Sequence, residues 1–261
     1  MIGALDPSVF ASYTGVVALI ALVVAEGRGR RVPAPVRRPF DLREPWRAVA
    51  LAAAIFFVQV SVSFPLVLIL NGEHAEVFDS ALGTLGGVFG ALVAVAFGYL
   101  IHRFAWTRIA GGRDLRPAIV VEGLWVLWAG LPIVVGLSWC ADKLGWQEPQ
   151  ELVAILAEKR PGWPIIVIFA VVVAPVLEEL FFRGFLYAAL RHWWGKTAAM
   201  IVTSALFGLA HFELGAPGVI VPLAVLGLVF AHIMERTGSI LTCIVAHAVF
   251  NALSVVSILV A

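Results

Sequence analysis

The chain has 261 residues, 61% of them hydrophobic and only 13% charged, with a mean hydropathy of +0.98. That leaves too little charge to cover the surface of a soluble domain of this size. A formal net charge of +1 gives no basic surplus for nucleic acid, and the two cysteines, Cys140 and Cys243, form neither a metal-type spacing nor a disulfide framework. The composition points to an all-α, polytopic transmembrane bundle.

Uncharged apolar runs of about 20 residues, the length that crosses a bilayer as helix, recur along the chain. In order they predict eight spans, at 8–25, 47–70, 81–101, 117–139, 163–190, 197–212, 219–234 and 239–260. The first seven residues hold no Lys or Arg. The basic leader of a cleavable signal is therefore missing, and the first run is expected to stay as a span. Residues 150–160 show a helical alternation expected to lie flat on the outer membrane surface. Pro175 removes one helix hydrogen bond and should kink the fifth span. The sixth and seventh spans are short, as suits helices inside the bundle that line a cavity.

Basic residues set the orientation. Seven arginines fall between Arg28 and Arg47, four more between Arg103 and Arg116, and Arg191, Lys196 and Arg236 follow. With eight spans all of these share one side, while the opposite side holds only Lys143, Lys159 and Arg160. The positive-inside rule then places both termini on the non-cytoplasmic side of the cell (inner) membrane. The expected organisation is an N-terminal region, residues 1–140, with four spans and basic cytoplasmic loops, followed by a core at 163–259 with four more.

The core carries three polar sets within apolar spans, where each ionisable group requires a partner or a task. In the first, Glu178 and Glu179 point about 100° apart on a helix. Glu179 and Arg183 are spaced i, i+4, in the order that favours an ion pair. That leaves Glu178 on another face, free of a local cation and suited to act as a base. The second set is Phe207 and His211, on one helix face. The third is His247 and Asn251, again i, i+4, with Cys243 and Ser254 extending the same stripe. Glu178 lies 13 residues before Arg191 and His211 lies 15 after Lys196. Both therefore sit roughly 20 Å deep, and His247 and Asn251 roughly 12–18 Å deep, at 1.5 Å per residue.

Singly, each set has a plain structural reading: an ion pair as glue, or a histidine bonded to a backbone carbonyl. A proton-relay transporter using Glu178, His211 and His247 is a further alternative, weakened by the lack of paired repeats with broken helices.

Together and in this order, Glu178-Glu179…Arg183, Phe207…His211 and His247…Asn251 resemble the Glu-Glu-x-x-x-Arg, Phe-x-x-x-His and His-x-x-x-Asn motifs of the CAAX prenyl protease 2 (CPBP, ABI) family of intramembrane proteases. The resemblance covers residues 163–259, and the first four spans carry no such motif. It implies an endopeptidase in which Glu178 activates a water molecule held with the help of His211. It further implies that His247 and Asn251 stabilise the oxyanion, and that Glu179, Arg183 and Phe207 support the site. No metal cofactor is expected; if zinc were used, Glu178, His211 and His247 would supply a His2Glu set. The implied partners are membrane lipid and a membrane-embedded or lipid-modified peptide. The alternative within the same fold is a non-catalytic scaffold or bacteriocin-immunity-type protein.

Overall fold

The computed structural model describes residues 117–146, 151–159, 163–212 and 217–260. The spans expected at 8–25, 47–70 and 81–101, and the arginine-rich segments Arg28–Arg47 and Arg103–Arg116, lie outside the described residues. Among the described residues every regular element is helical, and four helical runs are long and apolar enough to cross a membrane.

Helix α1 is Pro117–Lys143 and the short α2 is Glu151–Ala157. The run Trp163–Ala210 is broken at Gly195, whose φ of 79° and ψ of 178° are closed to helix and costly for residues with a Cβ. We call its arms α3 (163–194) and α4 (196–210), which match the fifth and sixth expected spans. Helix α5 is Ile220–Thr237 and α6 is Ile240–Val260. The Ser239 hydroxyl caps α6 by accepting the backbone N–H of Thr242 at 3.2 Å.

Pro175 is accommodated by a change of winding. A π segment, Phe169–Val173, opens directly before the α-helical Ala174–Glu179, and a second, Leu180–Leu186, follows it. The wider turn relieves both the missing N–H of proline and the clash of its ring with the preceding turn. Glu178 and Glu179 thus stand on a short α-helical piece between two π segments.

Small residues bring the helices together. At Gly208 an added Cβ would lie 2.9 Å from the Cβ of Ala224, and at Gly227 it would lie 3.1 Å from the Cα of Ser204 and the Cβ of Phe207. Helices α4 and α5 therefore pack backbone to backbone, the close approach that small residues permit in membranes. Helix α1 packs along α5, and α6 lies against α1 and the first half of α3. The buried core includes Leu127, Leu180, Phe207, Leu226, Phe230 and Ile233, while Val121, Ile165, Val172, Ile201, Leu253 and Val256 point outward. An apolar exterior of this kind suits lipid.

The helix expected at 150–160 forms, but Ile155 and Leu156 are buried against Ile166 and Val255. Its apolar face therefore packs on α3 and α6.

Candidate active site

Among the described residues, Arg183 is the largest fully buried side chain. Its Nη1 donates to Glu179 Oε1 at 3.0 Å and its Nη2 to the Gly227 carbonyl at 2.9 Å. The guanidinium also lies 4.7, 5.2 and 5.5 Å from the ring centroids of Phe207, Phe230 and Phe182. A cation so placed replaces its lost hydration with one carboxylate, one carbonyl and three aromatic rings.

Glu179 has a second partner. The same Oε1 lies 2.9 Å from His247 Nδ1. A carboxylate oxygen only accepts, so His247 Nδ1 carries the proton of this bond. The His247 ring is fixed on its other side by Phe230, stacked at 4.6 Å with an interplanar angle of 26°. Orientation and tautomer of His247 are thus set by Glu179 and Phe230, leaving Nε2 to face Glu178.

His211 is held the same way. Its Nδ1 lies 2.8 Å from the Phe207 carbonyl, one turn earlier at the C-terminus of α4. A carbonyl also only accepts, so Nδ1 bears a proton, and in the neutral ring Nε2 is an acceptor. The Phe207 ring packs at 4.8 Å from that of His211 and 5.8 Å from that of His247. Phe207 therefore touches Arg183 and both histidines at once.

The two histidines converge on one atom. His211 Nε2 and His247 Nε2 each lie 3.8 Å from Glu178 Oε2. Glu178 is 7% exposed and His247 3%, whereas His211 is half-buried at the rim. Asn251 is placed one turn beyond His247 and donates from Nδ2 to the Ala170 carbonyl at 2.7 Å. The structure thus gathers Glu178, Glu179, Arg183, Phe207, His211 and His247 into one cluster. It ties Asn251 to the π segment of α3 at the cluster's edge.

Two features of the cluster carry no sequence signal. The Gly227 carbonyl is a backbone group, and Phe230 is one apolar residue among many in its span. Outside the cluster, Glu122, in the fourth expected span, pairs with Arg236 at 2.6 Å. Close by in sequence on α5, Glu235 accepts from Tyr187 at 2.6 Å and from Arg191, with Lys196 at 4.0 Å. Arg191, Lys196 and Arg236 thus each pair with an acid.

Ligand atoms about 2.0–2.1 Å from a tetrahedral zinc lie roughly 3.3 Å apart. The two N···O separations here are 3.8 Å. Among the described residues no group of three His, Cys, Asp or Glu side chains has metal-holding spacing. The residue types fit a zinc shell, but their spacing is wider than one.

Residues 160–253 match the family model described as "Type II CAAX prenyl endopeptidase Rce1-like". Over 93 residues the chain is 30% identical to YdiL of Bacillus subtilis (strain 168), provisionally named a membrane peptidase. That match spans 36% of this chain and 37% of the relative. No solved structure matches the chain. The matched stretch holds all three motifs, and residues 160–253 are similar to the Rce1-like domain of the CAAX prenyl protease family.

Proposed function

We propose that the protein is an intramembrane endopeptidase that hydrolyses a peptide bond with a water molecule activated by Glu178. The observation that carries this is the convergence of His211 Nε2 and His247 Nε2 at 3.8 Å on Glu178 Oε2. A gap of that size is too long for a direct hydrogen bond and accommodates a shared water. Such a water donates one hydrogen to Glu178 and the other to the acceptor nitrogen of His211.

Glu178 takes a proton as the water oxygen bonds to the scissile carbonyl carbon. The carbonyl oxygen becomes an oxyanion, which accepts from His247 Nε2–H and from the second amide hydrogen of Asn251. For Nε2 to donate, His247 must carry both protons, and the cluster then balances: Glu178 and Glu179 against Arg183 and the imidazolium. Glu178 next passes its proton to the leaving nitrogen, the C–N bond breaks, and a carboxyl and an amine are released. No step needs a metal or other cofactor. We place this chemistry in the core at 163–259, in a chain crossing the cell membrane eight times with both termini non-cytoplasmic, and 1–140 as its non-catalytic region. The substrate is a membrane-embedded or lipid-modified peptide, met from within the lipid.

The test is cleavage by the full chain in lipid vesicles, offered a prenylated C-terminal peptide and an unmodified transmembrane peptide. Glu178→Gln should lower kcat by about 100-fold or more, the usual worth of a positioned base. His211→Ala should also lower kcat. Wild-type rates in both variants would refute the assignment.

A further inference from the structure

Asn251 spends an amide hydrogen on a backbone carbonyl, and the identity of that carbonyl is informative. In the π segment Phe169–Val173 hydrogen bonds run from residue i+5 back to residue i. The Ala174 N–H accordingly donates to the Phe169 carbonyl. The next carbonyl in this register is Ala170, and its donor would be residue 175. That residue is Pro175, which has no N–H. The Asn251 amide reaches the Ala170 carbonyl from α6 at 2.7 Å, supplying a donor from another helix. A carbonyl left without a partner inside an apolar bundle is costly, so the substitution matters to the fold.

We infer that Asn251 is a positioning residue: its amide replaces the N–H missing at Pro175 and so fixes α3 against α6 where Glu178 meets His247. Pro175 and Glu178 belong to the same α-helical piece, Ala174–Glu179, so holding the turn before it sets the base relative to α6. His247 sits one turn from Asn251 on α6. The clamp therefore ties together the two elements that carry the base and its histidine. This goes beyond an oxyanion role, because it uses the other hydrogen of the amide. The clamp itself is independent of the chemistry, whereas its positioning effect rests on Glu178 being the base.

The experiment is a double-mutant cycle on the full chain in lipid nanodiscs. It uses Asn251→Ala, Pro175→Ala, the double variant and the wild type. An alanine at 175 brings the absent N–H back, so Asn251 becomes partly redundant. Asn251→Ala should lower the thermal midpoint, and in the Pro175→Ala background about half of that loss or more should vanish, the signature of coupled neighbours. Turnover of a cleaved peptide should follow, with kcat partly recovered in the double variant and KM unchanged. Should Asn251→Ala not fold, Asn251→Asp, nearly the same shape but lacking the amide hydrogens, replaces it. Equal midpoint losses in both backgrounds would overturn the clamp. Coupled midpoints with no recovery of kcat would overturn the positioning role. If no variant or wild type cleaves any peptide, the proposed chemistry fails, while the midpoints still decide the clamp.

Discussion

Arg183 and Glu179 offer the sharpest energetic test, because their pairing is buried on every side. Changing Arg183 to Met removes the guanidinium and leaves Glu179 Oε1 with only His247. Changing Glu179 to Gln removes the charge opposite the guanidinium, which keeps the Gly227 carbonyl and its three rings. Removing one member of a buried ion pair costs about 3–5 kcal/mol, because the other charge is stranded. The rings soften this, each contributing roughly 0.5–2 kcal/mol to the cation. Both single variants should therefore lose about 3 kcal/mol or more. The double variant strands no guanidinium, and its amide oxygen still accepts from His247. It should be no worse than the poorer single variant, a coupling of about 3 kcal/mol or more. Reversible unfolding of all four proteins in mixed detergent micelles measures it. Additive losses would show that the two side chains do not share their burial cost, and the electrostatic account of the cluster would be wrong.

Other consequences are open to direct measurement. Gly208→Ala drives a methyl into the Ile220 carbonyl oxygen and to 2.9 Å from the Ala224 Cβ; because backbone must give way, a loss at the upper end of about 1–3 kcal/mol in the same unfolding assay is expected from overpacking. Gly195→Ala meets no neighbour but must hold φ 79°, so a comparable loss of about 1–3 kcal/mol should come from backbone strain alone. Phe230→Leu removes the ring stacked on His247 and lying 5.2 Å from the Arg183 guanidinium; kcat should fall, and stability should drop by about 0.5–2 kcal/mol as the cation loses a ring. Cleavage should survive exhaustive chelation at its full rate. Activity lost to chelation and restored by zinc would replace the metal-free mechanism.

The parts of this site that were legible in the sequence are those governed by one helix. The spacing of Glu179 and Arg183 forecasts their 3.0 Å contact, and that of His247 and Asn251 forecasts a shared face. The five spans expected from 117 onward each find a helix, because long apolar runs leave the backbone little else to do in lipid. What the sequence does not show is which side chain of one helix meets which of another. Glu179 looks like the private partner of Arg183, yet its oxygen also serves His247, 68 residues away. Asn251 reads as a donor for chemistry, yet its recorded bond goes to a carbonyl opposite a proline. Both depend on the lateral packing of helices, to which a hydropathy pattern is blind.

The two π segments of α3 also bear on how this helix can change over time. A π turn holds one residue more than an α turn, and one residue corresponds to about 100° of rotation and 1.5 Å of length. Deleting a single residue from Leu180–Leu186 would return that stretch to ordinary winding and barely alter the reach of the span. A π turn closes one circuit with that extra residue, so the deletion would leave what lies beyond it near its present azimuth relative to Glu178. The segments absorb the extra residue, keeping the acidic pair in phase with Tyr187 and Arg191 beyond it. A single-residue deletion inside a π segment should therefore be tolerated where the same deletion in an α-helical stretch would turn the far side by about 100°.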